Sequence, residues 1–252
     1  MMRSSNPALS EKRFTTNGVG GAITDERMTV SGAVNKSFFL IGLVFVTAYF
    51  SWQSAFPEGW APGAPAQMQP WFLPALIGGF ILSLVIIFKS KTAPYLSPVY
   101  AVAEGAVLGG LSAMFEMRYP GVVLQAVFCT LATFLSMLFA YKSGLIRATE
   151  TFKRVVVIAT LGIFVVYLID LVMNLMGNPM PYLHSSSPMS IGISAVITCV
   201  AALNLILDFD FIEQGAQQGA PKYMEWYSAF GLLLTLVWLY MEFLRLLGKT
   251  RR

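Results

Sequence analysis

"YMEWYSAFGLLLTLVWLYMEFLRLL", residues 223–247, is an apolar run with Glu225 near one end and Glu242 near the other. How this run meets a bilayer decides the fold. If it enters at Tyr223, Glu242 is 19 residues in, roughly 28 Å at 1.5 Å per residue and close to the far face. If residues 223–230 lie along the interface and the chain bends near Gly231, Glu242 is only about 16 Å deep by the same rise. The second course is re-entrant, and it lets Glu242 approach the acids of "LDFDFIE", residues 207–213. The late-entering course is the expectation taken here, with Trp226 and Tyr227 at headgroup level.

The rest of the chain agrees that the solvent is lipid. Of 252 residues, 56% are apolar and 12% charged, with mean hydropathy +0.65. Soluble domains carry roughly 25% charged residues. Six further apolar runs lie near 36–54, 71–88, 98–115, 121–141, 154–176 and 190–208, each near the ~20 residues a span needs. The fold class is therefore an all-α polytopic membrane protein with seven hydrophobic helices, the last central and re-entrant. Its expected parts are a disordered cytoplasmic tail at 1–32, a seven-helix membrane domain at 33–248 and a basic tail at 249–252. Nothing is left for a separate soluble enzyme domain.

The basic residues determine topology. Arg3, Lys12, Arg13, Arg27 and Lys36 precede or open the first run, Lys89 and Lys91 follow the second, and Lys142, Arg147, Lys153 and Arg154 separate the fourth and fifth. Lys222 separates the sixth and seventh. Alternating helices put all of these on one side, which predicts a cytoplasmic N-terminus in a cell membrane. The other side has Arg118 alone among its loops. The C-terminal Arg245, Lys249, Arg251 and Arg252 conflict with seven full crossings and agree with a re-entrant last helix. Dispersed charge of this kind excludes nucleic acid as a partner.

Span 3 carries Ala101, Gly105, Gly109 and Ala113 at i+4 spacing, a small-residue face that lets another helix approach closely. Glu104 is adjacent to that face. Asn204 and Asp208 share a face of span 6, and Asp210 points well away from Asp208 because successive helical residues turn by 100°. Asp170 and Asn174 lie near the outer end of span 5. Cys129 and Cys199 read as free thiols packed in helices. His184, the one histidine, sits in a loop, so a histidine metal site is not expected.

"LDFDFIE", "LYMEFLRLL" and "PVYAVAEGAVLGG" together resemble the Bax inhibitor-1, YccA-like family (the transmembrane BAX inhibitor motif family), in its bacterial branch. The resemblance covers residues 36–247. It implies six helices around a central C-terminal one, and in some members a pH-sensitive calcium leak. It also implies an acidic pair joining the end of helix 6 to the last helix. By local match these are Asp208 and Glu242, with Glu in place of the family's Asp. Glu104, Asn204 and Lys89 are candidate neighbours. The basic partner that calcium-leak relatives carry inside helix 2 has no equivalent within span 2, only Lys89 at its end.

The chemistry of such a pair is simple. An ionised side chain at mid-bilayer costs roughly 2.5–3.5 kcal/mol, and two adjoining carboxylates share a proton and titrate as a unit. Losing the proton separates them or admits a cation, and calcium takes oxygen ligands. The expected function is a pH-sensitive cation leak, with Asp208 and Glu242 as a transient calcium site and no cofactor. The rival is a non-conducting regulator, for example of a membrane protease. An enzyme is not expected. The partners foreseen are the lipid bilayer, protons and calcium.

Overall fold

The computed structural model describes residues 27–56, 58–59, 61, 65–178, 180, 183 and 185–251. The tail at residues 1–26, His184 and Arg252 lie outside the described residues. Among the described residues seven α-helices follow one another: α1 (Val30–Ala55), α2 (Phe72–Phe88), α3 (Ala93–Arg118), α4 (Val122–Lys142), α5 (Glu150–Leu175), α6 (Pro188–Gln217) and α7 (Met224–Thr250), with a short 3-10 turn at Ser90–Thr92. Six are long and apolar enough to cross a membrane, and α2 is a shorter apolar helix of 17 residues. The molecule is an all-α, multi-pass membrane bundle.

Local sequence sets the helix limits. Thr29, Thr149 and Ser187 are N-caps whose side chains accept from Gly32, Phe152 and Ser190 N–H groups at 2.9, 3.3 and 3.2 Å. Each satisfies a donor that a helix start leaves open. Gly219, at φ +66°, closes α6, and the Ala220 N–H then returns to the Gly215 carbonyl at 2.9 Å. Helix α1 starts at Val30, three residues before the expected limit of the membrane domain at 33, and α7 ends at Thr250, two residues beyond 248.

Helix α7 packs against α1, α3, α4 and α6, whereas α2 leans on α3 and α5 on α6. Four helices, not six, thus touch the central one along their length. Tyr100 of α3 meets Phe230 of α7 edge-to-face with ring centroids 5.0 Å apart. Leu205 and Ile206 of α6 pack with Leu232 and Leu239 of α7. Peripheral α5 buries only Val156 and exposes Ile158, Leu161 and Phe164. Such surface is stable only against lipid tails.

The small residues of α3 face α1. A methyl on Gly105 or Gly109 would overlap the carbonyl oxygen of Val44 or Ala48, and Ser51 donates to the Ala106 carbonyl at 2.6 Å. Ala101 and Ala113 are fully buried. Backbones approach to this distance only where side chains are absent.

The last helix corrects the expected re-entrant course. α7 runs unbroken through Gly231 for 27 residues, about 40 Å. Its first turn touches the start of α1 through Glu225 and Thr29. Its end reaches the opposite end of the bundle, where Gly248 lies against Tyr119 and Arg251 donates to the Pro120 carbonyl at 2.5 Å. The basic tail misled because its charges are tied to protein. Lys249 donates to Ser194 Oγ at 2.6 Å and Arg245 pairs with Glu242. Cations at a helix C-terminus also complement its dipole.

Candidate functional site

Three acids occupy the α7 axis at successive depths. The first, Glu225, is fully buried in the opening turn. It forms ion pairs with Lys36 of α1 and with Lys222, the latter at 3.1 Å. It also accepts from the Thr29 backbone N–H at 2.9 Å and the Thr29 hydroxyl at 3.0 Å. Gly32 makes room for the carboxylate, since a methyl there would overlap it. Lys36 also lies 5.5 Å from the Trp226 ring centroid. In the sequence Lys36 reads as a topology charge and Glu225 as a helix end. The signal for their pairing is a lysine and a glutamate each inside an apolar run, since a buried charge persists only when paired.

The second acid is Asp208 on α6. Its Oδ2 is sealed from solvent without a hydrogen-bond partner. The carboxyl lies near the Thr235 hydroxyl, which donates to the Gly231 carbonyl at 3.3 Å. Among the described residues no lysine or arginine forms an ion pair with Asp208.

The third is Glu242, 1% exposed. Its Oε1 accepts from Tyr167 of α5 at 2.7 Å, from Trp238 Nε1 at 3.1 Å and from Arg245 at 3.1 Å. The Arg245 guanidinium lies 5.0 Å from the Tyr167 ring centroid. Oε2 has no partner.

The expected Asp208–Glu242 latch is therefore not closed in this structure. The residue of α7 beside Asp208 is Thr235, and Glu242 is seven residues further along, roughly 10 Å or two turns. Seven residues restore almost the same helical face, so Glu242 stands above Asp208 rather than beside it. The letters "LYMEF" matched, but their depth did not. The two acids form no joint chelate, and among the described residues no group of three or more His, Cys, Asp or Glu could hold a metal ion.

The proposed neighbours also lie elsewhere. Asn204 donates to Thr160 of α5 at 2.9 Å and to the Val200 carbonyl at 2.8 Å, fastening α5 to α6. Glu104 lies by Tyr100 one turn earlier and faces Gly79 of α2. Lys89 is exposed at the end of α2. Asp210, which points away from Asp208, is ion-paired with Lys153 at 2.8 Å and accepts from Gln214 at 2.6 Å. Asp170 accepts from the Met180 N–H at 3.1 Å in the α5–α6 connection.

No curated protein matches the sequence. A family model described as "Bax inhibitor 1 like" matches residues 6–252, nearly the whole chain. With its C-terminal helix buried among the other helices, this seven-helix, multi-pass membrane protein belongs to the Bax inhibitor 1 like family.

Proposed function

We propose that the protein is a pH-sensitive cation leak of the cell membrane, with calcium as its permeant ion and Asp208 as the group that senses protons. The observation carrying this reading is the contrast among the three axial acids. Glu225 and Glu242 are matched by lysines or arginine. Asp208, between them in depth, is matched by none among the described residues and keeps a sealed, unpartnered oxygen. An uncompensated acid inside a bilayer is costly and marks an ion or proton path. The basic end of the bundle, with Lys36, Lys89, Lys142 and Lys222, faces the cytoplasm in this proposal.

Protonated Asp208 fits the apolar packing between α6 and α7. Ionised Asp208 demands water or a cation, and Leu205 and Leu239 must part to admit it. Flux then rises with pH. A single carboxyl suffices, so the scheme does not need the closed acidic pair. Calcium flux into proteoliposomes across a pH series tests it. Asp208→Asn should abolish the pH response, because an amide releases no proton, and Asp210→Asn should leave it intact. If the two variants behave alike, Asp208 is not the sensor.

One observation favours the rival regulator. Leu205, Ile206, Leu232 and Leu239 form a continuous apolar cluster between α6 and α7, so the axis is closed between Asp208 and Glu242. Absence of flux at every pH from folded wild-type protein would remove the leak and leave a non-conducting regulator, of a membrane protease for example.

A further inference from the structure

Helices α1 and α4 flank α7 but leave a cleft between them. Two cavities of about 640 and 930 Å³ occupy it. Both are lined by Phe38, Ile41 and Phe134, so they adjoin. The floor is the face of α7 from Leu232 to Tyr240. Along α4 the lining extends from Val123 to Lys142, 19 residues or roughly 28 Å. That is nearly the thickness of the hydrocarbon core, about 30 Å, and ample for one acyl chain from one leaflet.

The two ends differ in charge. At the Lys142 end the 930 Å³ cavity is lined by Lys142, Arg147, Asp210 and Glu213. Asp210 is ion-paired with Lys153 at 2.8 Å, and Glu213 accepts from the Tyr141 hydroxyl at 2.5 Å, a neutral donor that leaves its charge in place. Lys142 and Arg147 are exposed and have no anionic partner among the described residues. The cleft is thus an apolar trough with Lys142 and Arg147 at one mouth, two cations against the single unpaired carboxylate of Glu213, at the level where headgroups lie. Basic pockets between spans hold anionic headgroups for this reason, and arginine forks match phosphate oxygens.

We propose that the α1–α4 cleft seats an anionic glycerophospholipid, its phosphate between Lys142 and Arg147 and one acyl chain along the floor of α7. A neutral lipid supplies the chain without the charge, and a free phosphate the charge without the chain. This assignment does not depend on conduction.

Native mass spectrometry of the detergent-solubilised protein, titrated with phosphatidylglycerol, phosphatidylcholine or inorganic phosphate, tests it. Phosphatidylglycerol should form a one-to-one adduct that survives activation, and the other two should not. Lys142→Gln with Arg147→Gln should weaken the adduct by roughly 25-fold, the product of about fivefold per basic residue near an anionic surface. Lys89→Gln with Lys91→Gln removes the same charge at the same end, away from the cleft, and should leave the adduct unchanged. Leu131→Trp fills the trough without altering charge and should also displace the lipid. Equal adducts with phosphatidylcholine, or equal losses in the two lysine-containing doubles, overturn the headgroup seat. An adduct unaffected by Leu131→Trp overturns the chain seat.

Discussion

Adding one methyl group at each of two helical glycines should change stability in opposite directions. At Gly109 a new Cβ overlaps the Ala48 carbonyl oxygen and sits 2.6 Å from Ser51 Cβ, against about 3.5–4.0 Å for relaxed carbon contacts. Helices α1 and α3 must part by about 1 Å. The Ser51–Ala106 bond then lengthens from 2.6 Å past the ~3.5 Å at which a contact stops being a hydrogen bond. Overpacking costs about 1–3 kcal/mol, the lost interhelical bond adds about 0.6 kcal/mol, and alanine's better helix propensity returns about 1 kcal/mol. Gly109→Ala should therefore lose roughly 1–3 kcal/mol. At Gly162 of α5 nothing lies within 4 Å of the new methyl, so Gly162→Ala keeps the propensity gain of about 1 kcal/mol. For a chain of this size the two variants should melt roughly 5–15 °C apart, with wild type between them. Thermal unfolding in one detergent, followed by size-exclusion chromatography, reads this directly. Equal melting temperatures, or Gly162→Ala as the less stable, would refute the assigned α1–α3 contact. Gly109→Leu should fail to assemble at wild-type yield.

Three other outcomes follow from the axial acids and the course of α7. Glu225→Gln leaves Lys36 and Lys222 facing each other without an anion; it should cost about 3–5 kcal/mol and speed tryptic cleavage after Arg27, which bridges to Pro221. Arg245→Ala should destabilise more than Glu242→Gln, because it strands a carboxylate that is 1% exposed, whereas the Arg245 side chain, 41% exposed, can turn to solvent; the reverse order of melting temperatures would contradict this. A cysteine at Thr250→Cys, with Cys129 and Cys199 replaced, should react with an impermeant reagent in intact cells, and protection there would contradict seven crossings with a cytoplasmic N-terminus.

Spans were legible because lipid imposes a length and an apolar composition that local sequence must meet. Each of the seven runs coincides with one helix, although the first run starts six residues after α1 does and the sixth ends nine residues before α6 does. The small-residue face of α3 was legible for a related reason, since i+4 spacing fixes which residues share a face. Of the partners of Glu242, Arg245 and Trp238 lie three and four residues away on the same helix and follow from spacing, whereas Tyr167 comes from α5 and had no cue in the sequence. The depth arithmetic for a crossing that begins at Tyr223 had already put Glu242 near the far face. The local likeness of "LYMEF" and the charge of the tail argued otherwise, and both carry less information than helix length. Thr235 escaped notice because a threonine in an apolar helix has no sequence signature beyond its own hydroxyl.

The unequal lengths of α7 and α2 have a mechanical consequence. α7 is tied at both ends, by Glu225 to α1 and by Arg251 to the α3–α4 turn, and so works as a strut of fixed length, about 40 Å. α2, with 17 residues, measures only about 26 Å, and it stands on the rim beside α3. The bundle cannot shorten to suit a thin bilayer, and α2 cannot lengthen to suit a thick one. Bilayer deformation is therefore concentrated at one edge, where lipid must thin by a few ångströms or Lys89 must stretch toward water. Membranes of different thickness will press on that edge first, leaving the opposite flank, built from α5 and α6, nearly unstrained.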